Sequence, residues 1–399
     1  MTVIWVYNAQ EAADAVNAAL ADGTTLSVRG RDTKRGLGRP VETDHVLDIS
    51  RLAGTIRYEP EELILTVKAG TPMTDIEMML REQRQILPFE PPDWGPFFGA
   101  PDRRATIGGV LAADVAGPRR FKTGAPRDAL LGFAAVNGFG EIYKAGGKVV
   151  KNVTGYDLPK LMCGSYGTLE PLTEVTLKVL PAPEREDTII LRGLTAPDAL
   201  RLLRAVAGEP LDATGLAHLT GELAQHLEGA LGVAEGLTAI RFEGAREAVE
   251  ERAAALLERY RRGGARRLGG EVSRQLWRRI GGLDLLVREP GIVWRIAAPP
   301  FAAAAIAGEI GPNAAQYDWA GGLMWLLLDD APHSHASLVR AVAARHNALS
   351  TLVRASDEQR TAHGVFQPQD EVIARLTRDV KAAFDPNGVF NPGRMFEGI

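Results

Sequence analysis

Residues 145–180 read AGGKVVKNVTGYDLPKLMCGSYGTLEPLTEVTLKVL. The stretch opens on a Gly-Gly turn followed by two nearby lysines, Lys148 and Lys151. It then passes a Gly155-Tyr156-Asp157 corner and a second glycine-rich loop, Gly164 to Gly167. It closes on an alternating segment that sets Thr173, Val175, Leu177 and Val179 on one face of a strand. Glycines this dense let backbone N–H groups approach a ligand with no Cβ in the way. The lysines indicate that the ligand is an anion.

Neither common nucleotide signature accounts for this stretch. Gly138-Phe139-Gly140 supplies two glycines of a dinucleotide fingerprint, but Tyr143 stands where the third belongs. Gly147-Lys148 ends like a P-loop, yet Ile142 takes its first glycine position and Val149 its Ser/Thr. A nucleotide here needs another architecture.

Upstream, strand and helix signals alternate. Val3 to Tyr7 reads as a strand, and Asn8 with Glu11 three residues later caps a helix that stops at Gly23. Leu26 to Val28 is a strand running into RGRDTKRGLGRP at 29–40, where Gly30, Arg31, Asp32, Thr33 and Lys34 form a turn rich in donors. Leu63 to Val67 is another strand, followed by Ala69-Gly70-Thr71-Pro72, with Thr71 as N-cap and Pro72 as first helical residue. Thr106-Ile107-Gly108-Gly109 caps a helix whose first turn is bare glycine, and Gly117, Arg119 and Arg120 follow closely.

Downstream, Pro181 and Pro183 punctuate the chain before an Ala-, Arg- and Leu-rich half. Helices are expected at 200–206 and 245–260, strands at 238–242, 292–296 and 323–328, giving a sheet covered by helices on one face. A last helix at 371–384 leads into DPNGVFNPGRMF, a turn-rich tail.

The 399 residues carry 46 basic and 50 acidic side chains, a balance that points to neither nucleic acid nor an anionic membrane surface. The N-terminus lacks the pattern of a signal peptide, and the apolar run near Trp325 is too short to span a bilayer. One cysteine, Cys163, rules out an intrachain disulfide and a cysteine-ligated iron–sulfur cluster, and reads as a small buried residue. A cytoplasmic protein is expected, reaching a membrane only through partners.

The order of these motifs resembles the flavoproteins of the vanillyl-alcohol oxidase/p-cresol methylhydroxylase type, and within them the FAD-binding subunits of bacterial glycolate oxidase. The resemblance covers nearly the whole chain and is carried by GPRR at 117–120, KNVTGYDLPKLMCGSYG at 151–167, WRI at 294–296, DWAGGLMW at 318–325 and FNPGRM at 390–395. It implies an α+β fold of two domains: an FAD-binding domain at 1–183 and a smaller cap with an antiparallel sheet at 184–375. The tail at 376–399 would return to the first. It further implies noncovalent FAD held by Gly30, Arg31, Asp32, Thr33 and Lys34, by Gly70, Thr71, Thr106, Gly108 and Gly109, and by Gly117, Arg119 and Arg120. Gly155, Gly164, Gly167 and Thr168 would approach the adenine and ribityl portions, and Asn391 and Arg394 would arrive from the tail.

The chain departs from the family pattern at two places. Arg31 and Asp32 are bulkier than usual in the first loop, and Glu170-Pro171 replaces Gly-Val. A carboxylate beside a nucleotide needs a partner or solvent, and Pro171 has no N–H, so one adenine hydrogen bond is put in question. None of the seven histidines lies in the glycine-rich motifs, so no histidyl-flavin bond is expected.

The resemblance implies an FAD-dependent oxidoreductase of glycolate oxidation, in which this chain is an accessory flavin or electron-transfer subunit. Its partners would be a homologous catalytic flavoprotein and an iron–sulfur subunit. Oxidising a 2-hydroxy acid also needs a base and a cation for the carboxylate. Catalytic relatives typically carry a His-x-Gly-Asp-Gly-Asn-x-x-His stretch that this chain lacks; His333 and His335 form its one close pair, read as a solvated loop. Arg295, Trp319 and Trp325 remain as substrate-facing candidates, though aromatic residues at strand spacing usually belong to a core. Two further readings stand beside this one: a self-sufficient 2-hydroxy-acid dehydrogenase, and a scaffold with structural FAD.

Overall fold

Asn8 starts the first helix as its side chain requires. In the computed structural model, which describes residues 1–100, 104–147, 155–227 and 235–399, its Oδ1 accepts from Glu11 N at 2.9 Å. Glu11 returns to Tyr7 N at 2.8 Å. The helix runs Ala9–Asp22 and ends on Gly23 at φ 64°. Lys148 and Lys151 lie outside the described residues.

The chain divides into two units: 1–116, 124–181 and 368–399 form the first, and 117–123 with 182–367 the second. In the first, β1 (Thr2–Trp5), β2 (Leu26–Arg29) and β3 (His45–Asp48) make a parallel sheet of order β1-β3-β2. β4 (Thr55–Glu59), β5 (Ile64–Lys68), β6 (Gln85–Ile86), β7 (Leu130–Val136), β8 (Ile142–Gly146), β9 (Leu172–Lys178) and β10 (Leu180–Pro181) follow. Of these, β4-β5-β9-β7-β8 form a five-stranded antiparallel sheet, and β6 pairs with β10.

The alternation in β9 does what its sequence suggests. Val175 and Leu177 are buried in a core with Leu65, Val67 and Phe133, while Thr176 on the opposite face meets Thr66 at 3.0 Å between hydroxyls. The same core takes in Leu26 and Leu47 of the small sheet and Val110 and Leu111 of the helix Ile107–Ala112. The sequence reading is off by one at the helix Met73–Glu82. Pro72 is its N-cap, because the Thr71 hydroxyl turns away to donate to Lys68 O at 2.6 Å and accept from Gly54 N at 3.0 Å.

The second unit holds an eight-stranded antiparallel sheet of β11 (Arg185–Arg192), β12 (Gly215–Leu219), β13 (Leu237–Gly244), β14 (Arg266–Gly269), β15 (Ile292–Ala297), β16 (Ala314–Asp318), β17 (Leu323–Leu328) and β18 (Leu349–Arg354). Its order is β14-β11-β13-β12-β16-β17-β15-β18. Helices cover both faces, not one. Ile189 and Leu191 pack against Val249 and Ala253 of the helix Arg246–Arg259. Thr188, pointing the other way, bonds Ser273 and Trp277 of the helix Gly270–Gly281 at 2.6 and 2.8 Å. A hydroxyl in mid-strand marked that second contact, but nothing local named its partner.

The helix Glu371–Phe384 anchors the tail within the first unit. Lys381 Nζ donates to Thr168 O at 2.6 Å, Phe390 O at 3.0 Å and Asp385 Oδ2 at 2.5 Å, with the Asp385 side chain wholly buried. Asp385 also accepts from the Val389 and Phe390 amides. Removing one partner of a buried pair leaves an uncompensated charge. Lys381→Met should therefore cost about 3–5 kcal/mol, read as a lowered urea midpoint. A loss under about 1 kcal/mol would show that the pair adds nothing over an apolar replacement.

Candidate functional site

Strand β2 delivers the chain into a tight loop whose shape depends on a missing side chain. A Cβ at Gly30 would collide with Thr106 Oγ1, the atom that caps the helix Ile107–Ala112 by accepting from Gly109 N at 3.3 Å. Gly30 thus lets the loop lie against that helix start. Asp32 adopts φ 60°, and its carboxylate stands 3.7 Å from Arg29 and 4.0 Å from Arg35.

Lys34 is buried in this loop, with Nζ 3.4 Å from Thr33 Oγ1. Burial pushes its ammonium down to about 8, with Asp93 offsetting part of the effect. A desolvated cation beside a hydroxyl is a receptor for an anionic oxygen. The loop is fixed from behind by the tail, because Arg394 Nη2 donates to Lys34 O at 3.3 Å and Arg394 O accepts from Arg39 N at 2.8 Å.

The facing wall comes from the 165–172 stretch. Asn391 holds it: its Nδ2 donates to Tyr166 O at 3.1 Å and Gly167 O at 3.0 Å, and its Oδ1 accepts from Val28 N at 3.2 Å. Gly167 sits at φ 69° with Asn391 Nδ2 only 2.8 Å from where a Cβ would be, so a side chain there would break this clamp. Between the walls lies a cleft of about 790 Å³, a volume that includes space open to solvent.

Glu170 also lines the cleft and is 2% exposed. Tyr143 Oη donates to its Oε2 at 2.6 Å, while Oε1 is buried with no hydrogen-bond partner. Burial pushes this carboxyl up to about 7; Tyr143 lowers it, and nearby Asp385 raises it. In the sequence Glu170 stands out only as a departure from the family pattern, and nothing local marks its burial or its Tyr143 partner.

Of the residues expected to hold FAD, Gly30, Arg31, Asp32, Thr33, Lys34, Thr106, Gly108, Gly109, Gly167 and Arg394 line this one cleft. Asn391 shapes it from behind. Others lie elsewhere. Gly70 allows close backbone packing, since a Cβ would strike Ile49 O. The Thr71 and Thr168 hydroxyls bond backbone carbonyls, Thr168 to Ser165 O at 2.7 Å. Gly155 is exposed, and Gly164, at φ 82°, turns the chain near Asp114.

Gly117, Arg119 and Arg120 join the second unit. Arg119 forks onto Glu243 at 2.8 and 3.0 Å, and Arg241 pairs with the same carboxylate at 3.2 Å. Burial would raise Glu243, but Arg241 and Arg119 hold it down to about 2. Trp319 Nε1 donates to Gly117 O at 3.2 Å. Arg120 lies 5.0 Å over the Trp319 ring, and Arg295 sits about 6 Å from the rings of Trp319 and Trp325. The three substrate-side candidates are thus neighbours in a cation–aromatic stack, with Trp325 buried. His335 pairs with Asp329 at 3.1 Å and His346 with Glu309 at 2.6 Å. Burial pushes the Cys163 thiol far up, an inert setting. Among the described residues no cluster of metal-ligating side chains occurs and no helix is long and apolar enough to cross a membrane.

Residues 2–146 match the family model of an FAD binding domain, and 365–395 that of the FAD linked oxidases' C-terminal domain. The chain is 35% identical to glycolate oxidase subunit GlcE of Escherichia coli over 96% of its own length and 95% of that protein's. It is 34% identical to glycolate oxidase subunit GlcD of Bacillus subtilis over 38% of its length and 30% of that protein's. In fold it is similar to p-cresol methylhydroxylase, with a TM-score of 0.72 at 13% identity over 99% of this chain and 88% of that one. An orphaned acceptor, a glycine cradle and a buried lysine in one cleft suit a dinucleotide. The chain belongs to the FAD-linked oxidases, as an FAD-dependent oxidoreductase of the glycolate oxidase subunit GlcE family.

Proposed function

We propose that this chain is the accessory flavin subunit of a multi-subunit glycolate oxidase, with its FAD held noncovalently in the cleft between the 30–37 loop and the 165–172 stretch. The observation that carries the flavin site is the buried Lys34 ammonium at a glycine-cradled loop. Full-length similarity to GlcE supports the subunit role, and the lack of a His-x-Gly-Asp-Gly-Asn-x-x-His stretch favours chemistry completed by a partner. That partner would be a homologous flavoprotein, with an iron–sulfur subunit beside it. We place the assembly in the cytoplasm, at a membrane only through its partners.

When bound, FAD supplies an acceptor for the hydride of a 2-hydroxy acid. Lys34 and Thr33 would face the diphosphate, with Thr106, Gly108 and Gly109 beside them at the helix start packed on the same loop. Asn391 and Arg394 keep the two walls in register. The Arg295–Trp319–Trp325 stack is a candidate for facing a small carboxylate from the second unit.

Two measurements test this. Lys34 binds a diphosphate as an ammonium, so FAD affinity should fall as the pH rises above about 8, by up to about tenfold per pH unit. Lys34→Met should weaken binding roughly ten- to hundredfold at pH 7 and flatten the alkaline fall, read by FAD fluorescence on the flavin-free chain. An unchanged pH profile in the variant would move the diphosphate elsewhere. For the subunit role, the isolated chain is given glycolate without oxygen and its flavin absorbance followed. The flavin should stay oxidised until the partner subunits are added; bleaching of the isolated chain would establish the self-sufficient dehydrogenase instead.

A further inference from the structure

We propose that Glu170 reads the adenine of the bound dinucleotide, its Oε1 accepting a hydrogen bond from the exocyclic amine. The inference rests on the assignment of the cleft to FAD. Its starting point is an incomplete hydrogen-bond account: Glu170 lines the cleft, Tyr143 occupies Oε2, and Oε1 is sealed from water without a partner. A buried acceptor left this way costs free energy that a ligand donor would recover. The terminal torsion of a glutamate is broad, so a small turn presents Oε1 to the cleft.

Charge decides which part of FAD comes to it. A carboxylate repels the diphosphate, which belongs at the Lys34 loop. The flavin's imide N–H lies between two carbonyl oxygens that would crowd an anion, whereas the adenine amine projects clear of its ring. The backbone at this corner offers no substitute: Pro171 has no N–H, and its carbonyl already accepts from Val136 N at 3.3 Å.

Acidity agrees with this geometry. The groups bearing on the carboxyl are Tyr143 from β8 and Asp385 at the end of the helix Glu371–Phe384, the latter paired with Lys381. With the carboxyl pushed up to about 7, and the ionised form the one that accepts, FAD affinity should rise with pH up to about 7 and level off above it. This acid limb is distinct from the alkaline fall set by Lys34.

The test uses the flavin-free full chain, titrated calorimetrically with three probes: FAD, its analogue with hypoxanthine for adenine, and its analogue with 2′-deoxyadenosine. Wild type should bind FAD roughly ten- to hundredfold tighter than the hypoxanthine analogue, the size of a charged hydrogen bond, and should barely notice the deoxy change. Glu170→Leu should erase that preference. Glu170→Gln, whose amide oxygen still accepts, should keep part of it and lose the acid limb; circular dichroism checks that both variants fold. Equal binding of FAD and the hypoxanthine analogue by wild type would overturn the role of Glu170 while leaving the FAD site intact. Sensitivity to the deoxy analogue alone would overturn it in favour of a ribose contact. A folded wild-type chain that binds none of the probes would overturn the FAD assignment itself.

Discussion

The Lys381 ammonium is the node on which the first unit depends. It draws together three carbonyl and carboxylate oxygens from Thr168, Phe390 and Asp385, each far from water. Burial pushes this lysine down while Asp385 opposes the shift. Through Thr168 the node holds the turn before Glu170. Through Phe390 it sets the position of Asn391, which in turn clamps Tyr166, Gly167 and Val28. The cleft is therefore built by the end of the chain as much as by its beginning.

This arrangement explains why the tail carries no regular structure beyond its helix. Residues 385–396 serve as a strap: the Leu26 amide donates to Val389 O at 2.7 Å and the Asn391 amide to Leu26 O at 3.0 Å. A turn-rich sequence can follow such a path because Asn391 tolerates φ 42°. The helix and strap order both walls before any ligand arrives, which lowers the conformational cost of binding.

The second unit buries its charges differently. Glu243 sits between Arg119 and Arg241, and Arg241 also stacks 4.7 Å over Trp277. Here the ion cluster joins the 117–123 segment to the sheet. Arg120, Trp319, Arg295 and Trp325 form the neighbouring stack. Conformationally stiff aromatic rings between planar cations suit a positioning surface better than a general base.

The amino-acid sequence by itself determined the local pieces, because caps, alternation and glycine punctuation act within a few residues. Asn8 and Gly23 bound their helix, Thr106 caps its own, and Glu371–Phe384 was legible from end to end. The glycine-rich order also carried the family and hence FAD. Tertiary structure alone decided which glycines line the cleft: Gly30 and Gly167 do, while Gly70 packs against the Ile49 backbone and Gly155 is exposed. It also decided the partners of charged side chains: Arg119 went to Glu243, and Lys381 went to Thr168 and Phe390. Those choices turn on contacts between residues a hundred or more positions apart, or on burial that removes competing water. Neither is written in any local pattern. Glu170 shows the division most plainly, since its oddity was visible in sequence but its unpaired oxygen only in the folded wall.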